Sequence, residues 1–164
     1  MLLGILSDTH NNLANLRTAL AILRDEQVDT LIHCGDITDV ETAQQLAEFR
    51  VICTLGNGDW NASEIQRNLR YFRPDNVLGL SFQGELGGVQ VAATHGHLQG
   101  ILDNLVQSGQ YAYVFHGHSH RHKDEQIGAT RVINPGALGG LKPETRRFAI
   151  LDLDSGKLKF KLIE

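Results

Sequence analysis

The chain reads as an α/β protein on three observations. Short apolar runs alternate with segments of helical spacing through roughly the first third of the sequence, and beyond Pro74 the texture turns strand-rich, with glycines between apolar runs. In addition, almost every apolar run opens directly into a polar loop holding Asp, Asn or His. Strands alternating with helices imply βαβ units and a parallel sheet. The expected arrangement is two packed sheets flanked by helices. With 164 residues and about 150 residues per domain, the length suits one domain spanning residues 1–164.

Leu2 to Ser7 is apolar and runs into Asp-Thr-His-Asn-Asn, while Leu13, Leu16, Leu20 and Leu23 recur at helical spacing, predicting strand, loop and helix. Thr30 to His33 is a second buried strand ending in Cys-Gly-Asp. A helix follows, capped by Asp39 and turning Glu41, Gln44, Gln45 and Glu48 outward. Val51 to Leu55 is a third strand, ending in Gly-Asn-Gly-Asp. Leu78 to Gln83 and Val89 to Thr94, separated by glycines, read as an antiparallel hairpin. A helix over Gln99 to Ser108, a strand from Tyr113 to His116 and a run of strands between Gln126 and Ile163 complete the pattern.

Composition narrows the function classes. The mixture of 41% apolar and 21% charged residues is that of a globular protein and excludes a disordered or collagen-like chain. A net charge of -4 argues against stable nucleic-acid binding, which usually requires a basic face. No apolar stretch is long enough to span a membrane, and the apolar start, with no basic residue ahead of it and Asp8 just behind, does not resemble a signal peptide. Cys34 and Cys53, both inside apolar runs, read as small buried hydrophobes of a cytoplasmic protein. The anomaly is histidine: six of the 8 fall between His95 and His122.

Ligands of open α/β sheets bind beyond the carboxyl ends of the strands, and the unusual residues stand there. Asp8 and His10 follow the first strand, Asp36 the second, and Asn57 with Asp59 the third; His95 and His97 follow a fourth, and His116, His118, His120 and His122 a fifth. Such a set suits two metal ions. Asp8 with His10, and His118 with His120, are spaced two apart, so in extended backbone each pair projects to one side. Asp36 is the natural bridging carboxylate and Asn57 offers a neutral oxygen. Two divalent ions, two carboxylates and a bridging hydroxide leave one net positive charge, which attracts an anionic phosphate ester. Nitrogen and oxygen donors without thiolate suit Mn, Fe, Co, Ni or Zn, and paired ions of this kind catalyse in-line displacement at phosphorus.

The motifs Asp8-Thr-His10, Gly35-Asp36, Gly56-Asn57-Gly-Asp59, His95-Gly and Gly117-His118-Ser-His120 resemble, in order, those of the calcineurin-like metallophosphoesterases. The turn Asn134-Pro135-Gly136 is similar to that of the small bacterial and archaeal phosphodiesterases. The resemblance implies a four-layer α/β/β/α sandwich. It further implies one ion, with Mn favoured, held by Asp8, His10, Asp36 and His120, and a second held by Asp36, Asn57, His95 and His118. The expected activity is hydrolysis of small or nucleotide-like phosphodiesters, with a phosphomonoesterase or a non-catalytic scaffold of the same fold as alternatives. Many relatives carry His directly after the Asn of the third motif, where this chain has Gly58. His97 is then the candidate proton donor to the leaving group, with His122 a second possibility. Asp59, His33 and His122 are expected to support ligands or meet substrate, His116 to be a core residue, Arg146 and Arg147 to be a solvated pair, and a homo-oligomer is compatible with the sequence.

Overall fold

The computed structural model describes residues 1–142 and 144–163. Eleven strands form two sheets among the described residues. In the first, β1 (Leu2–Leu6), β2 (Thr30–His33), β3 (Arg50–Thr54) and β4 (Val77–Gly79) run parallel, and β10 (Arg147–Asp152) and β11 (Lys157–Leu162) extend it antiparallel beyond β1. The second places the parallel strands β6 (Val89–Thr94), β7 (Tyr113–Phe115) and β9 (Thr130–Asn134) between the antiparallel edges β5 (Ser81–Leu86) and β8 (Lys123–Ile127).

Period-two alternation sorts the strand residues into layers. Leu3, Ile5, Ile32, Ile52, Ala149 and Leu151 of the first sheet meet Val91, Ala93, Phe115 and Ile133 of the second in one buried cluster. Their sequence neighbours Leu6, Leu31, Val51, Phe148 and Ile150 point the other way. These pack on Leu16, Leu20 and Leu23 of α1 (Leu13–Asp25), Ala43 of α2 (Val40–Gln45), and Ile65 and Leu69 of α3 (Ala62–Phe72). Ala92 and Val114 of the second sheet are covered by Leu102 and Leu105 of α4 (Gln99–Gln107). The result is the four-layer α/β/β/α sandwich.

Three elements differ from the sequence expectation. The apolar run from Leu78 to Gln83 is not one strand: it breaks at the exposed Leu80, and its halves join different sheets as β4 and β5. Helix α3 lies outside the sequence expectation; it is amphipathic, and its buried face is the i, i+4 pair Ile65 and Leu69. β8 starts at Lys123, ahead of the expected run, and is exposed throughout, so it carries no alternation to read. Asp39 does cap α2, its carboxylate accepting the Thr42 N–H at 2.9 Å.

This topology positions the site. The parallel strands of each sheet finish at the same edge, so the loops after β1, β2, β3, β6, β7 and β9 converge there. Backbone hydrogen bonds tie them within each sheet, Asp8 N–H to Gly35 O (2.9 Å) in the first and Gly117 N–H to His95 O (2.9 Å) in the second, and across the two, Gly139 N–H to Asp8 O (2.8 Å).

Candidate metal centre

Asp8, His10, Asp36, His118 and His120 all have left-handed backbones, with φ of 52°, 45°, 57°, 66° and 59°. For residues with a side chain such angles cost of order 1–3 kcal/mol each and concentrate at functional sites. The loops recover this through their mutual hydrogen bonds, His10 N–H to Asp36 O (3.0 Å) among them. The carboxylates are also aimed by amides. Asp8 Oδ2 accepts from His118 N–H (3.0 Å) and from the Ser7 hydroxyl, and Asp36 Oδ1 accepts from Gly58 N–H (2.7 Å).

Two donor groups result. Asp8, His10 and His120 form one and Asp8, Asp36 and His95 the other, each with ligand atoms within 4.8 Å of one another. Asp8 Oδ1 faces the Nε2 atoms of His120, His10 and His95 at 3.3, 3.8 and 3.9 Å, and Asp36 Oδ2 faces those of His95 and His10 at 3.4 and 3.5 Å. The buried atoms Asp8 Oδ1 and His95 Nε2 have no hydrogen-bond partner among the described residues. Buried polar atoms are rarely left so, and hard oxygen and imidazole donors fit divalent ions. Both groups could hold a metal.

Electrostatics agree. Burial works to raise the Asp36 pKa, but the close approach of His95, with the Gly58 amide, outweighs it and holds the carboxyl at about 2. Burial opposes protonation of His95, and the neighbouring Asp36 and Asp8 nonetheless lift its pKa above the ordinary value. The nearby Asp8 carboxylate likewise raises that of His120, with help from Glu144. Imidazoles that attract protons this way also attract cations.

The remaining expected residues surround these donors. The exposed His118 stands edge-on to His95, ring centroids 5.1 Å apart, and lines with Asn57 a cleft of about 1000 Å³ that opens from the centre. His97 sits 5.3 Å from His95 and 6.3 Å from His118, centroid to centroid. Burial and the two neighbouring histidines lower its pKa. Asp59 braces the backbone: Oδ2 accepts from Asp36 N–H (2.9 Å) and Gly56 N–H (2.7 Å), Oδ1 from Thr38 N–H (2.7 Å). His33 lies behind the first loop with Nε2 on the Thr9 hydroxyl at 2.8 Å, and buried His116 is held beside Asn134. His122 is brought elsewhere. It is exposed, edge-on to Phe160 at 5.1 Å, and lines a separate hollow beside α4 with Arg121 and Lys123.

Sequence reasoning misses two residues. Glu144 Oε2 lies 2.8 Å from His120 Nδ1. Arg146, far from being solvated, has a side chain only 15% exposed and donates to the carbonyls of Gly139, Gly140 and Lys142. No spacing signal links either residue to the motifs.

A four-layer sandwich whose strand-end loops gather two carboxylates and several imidazoles is the architecture of a protein able to hold divalent metal at its strand ends. A model of the calcineurin-like phosphoesterase superfamily domain matches residues 1–156, and the chain belongs to that superfamily, whose members are phosphoric-ester hydrolases. It is 32% identical over 166 aligned positions to a phosphodiesterase of Methanocaldococcus jannaschii, covering 100% of both chains. A probable metallophosphoesterase of Bacillus subtilis is 30% identical over 92% of this chain and 83% of its own. The solved structure of an archaeal phosphodiesterase superposes with a TM-score of 0.94 at 32% identity, over 99% of this chain and 100% of that one.

Proposed function

We propose that residues 1–164 form one catalytic domain that hydrolyses small or nucleotide-like phosphodiesters with two divalent ions, Mn foremost. One ion is held by Asp8, His10, Asp36 and His120, the other by Asp36, Asn57, His95 and His118. The observation that carries this reading is the position of Asp36 Oδ2, within 3.5 Å of an imidazole nitrogen from each donor group. When bound, the ions supply positive charge to the phosphoryl oxygens and acidify water.

The chain's own residues do the rest. His95 donates its Nδ1–H to Cys34 O (2.6 Å), which leaves Nε2 as the donor atom facing Asp8 and Asp36. Gly58 supplies an amide to Asp36 rather than an imidazole to substrate, so His97, its ring 5.3 Å from that of His95, is the candidate to give the leaving oxygen a proton. The cleft is larger than a phosphate needs and continues past Asn11, Asn12 and Leu141, which supports an ester with a sizeable organic group. The net charge of -4 supports a small substrate over a long nucleic acid. Free, buried Cys34 and Cys53 support a cytoplasmic location, and no described helix is long and apolar enough to cross a membrane.

Comparing rates on matched aryl phosphodiesters and phosphomonoesters with the Mn-loaded protein tests the reading. The diester is expected to be the faster, and His97→Asn to slow esters of poor leaving groups more than nitrophenyl esters. A faster monoester would replace diesterase by monoesterase, and no hydrolysis of either with Mn, Fe, Co, Ni or Zn would overturn the proposal.

A further inference from the structure

We infer that Glu144 is a positioning residue for the metal centre: its carboxylate fixes the tautomer and orientation of His120 for metal capture, and the loop joining β9 to β10 is folded to deliver it. The inference rests on His120 being a ligand, as proposed above. Glu144 meets Nδ1 at 2.8 Å, while Nε2, on the far side of the ring, faces Asp8 Oδ1 at 3.3 Å and His10 Nε2 at 3.3 Å. An ionised carboxylate can only accept. The proton of the neutral ring is therefore drawn to Nδ1, and the Nε2 lone pair is turned toward the other donors. A carboxylate on the outer nitrogen also makes the ligand nitrogen more basic.

The loop's construction supports a dedicated role. Gly140, at φ 106°, carries the backbone flat against the ring, where a Cβ would stand 2.9 Å from His120 Cε1. The Arg146 guanidinium gathers the carbonyls of Gly139, Gly140 (2.8 Å) and Lys142 (2.6 Å), and Glu144 N–H bonds Lys142 O at 2.8 Å. His95 orients its ring with a fixed backbone carbonyl, Cys34 O after β2 of the facing sheet, whereas His120 depends on one side chain 24 positions away. Its orientation is thus removable by a single substitution at a half-buried site.

Isothermal titration with Zn and Mn, together with proton NMR of the Zn-loaded protein, tests this on wild type, Glu144→Ala, Glu144→Gln and His120→Ala. Glu144→Ala is expected to weaken metal binding about 10- to 100-fold and to lose or shift the slowly exchanging Nδ1–H signal of His120, identified by its absence in His120→Ala. Glu144→Gln, whose amide oxygen still accepts from Nδ1, should restore the signal and part of the affinity. The metal-free denaturation midpoints of both Glu144 variants should match wild type. Wild-type affinity and an unmoved signal in Glu144→Ala, with binding lost in His120→Ala, would overturn the inference alone. Unchanged binding in His120→Ala would overturn the ligand assignment beneath it.

Discussion

At His33 burial decides the chemistry. The ring is fully buried with one hydrogen bond, to Thr9, and burial lowers its pKa to about 4. In the unfolded chain a histidine titrates near 6.5, so between pH 6.5 and 4 the unfolded state binds a proton that the folded state refuses. Stability is then full above pH 6.5 and lost as pH falls toward 4, by roughly 2 kcal/mol at pH 5 from this residue. Urea midpoints at pH 7.5 and pH 5 should draw together for wild type and His33→Gln as the pH drops; parallel pH dependences would refute the assignment. The residue scale is also where the sequence is most legible. Asp8, His10, Asp36 and His95 stand out jointly: a single Asp or His after a strand commonly serves a turn, but such residues at successive strand ends exceed what turns require. Glu144 does not stand out, because nothing in an aperiodic loop announces a contact made across two sheets.

At the scale of elements, the site depends on loops from different strands touching backbone to backbone. Gly139 is such a contact: its N–H bonds Asp8 O, and a Cβ there would lie 1.9 Å from Thr9 O. Backbone cannot swing aside like a side-chain end, so Gly139→Ala should push the β1–α1 loop away and destabilise by about 1–3 kcal/mol. Gly100 in α4 is the contrast, with open space around its Cβ position. Gly100→Ala should stabilise by about 0.5–1 kcal/mol, as a helical glycine does on gaining a methyl. Denaturant midpoints that move the same way for both would contradict this account. Strands and helices with a broad apolar stripe, such as β1, β2 and α1, are readable from periodicity. The β4–β5 break is not, because the decision to change sheets at Leu80 belongs to tertiary packing and leaves the apolar run uninterrupted.

For the whole molecule, the two sheets bring one set of strand ends to a common edge, and the candidate donor groups draw on both. Asp8, His10 and Asp36 come from loops of the first sheet, His95 and His120 from loops of the second. Part of the crowd of histidines late in the sequence thus meets carboxylates that lie some 60 to 110 positions earlier. The ordered motifs carry the resemblance to the superfamily and, with it, the implied layered fold, while cleft-lining residues such as Leu141 belong to no motif. Asp36 is proposed to join two ions in one centre. Equilibrium dialysis against Mn measures it most directly: wild type should bind two ions per chain and Asp36→Ala at most one, whereas fewer than two in wild type, or two retained in Asp36→Ala, would contradict it.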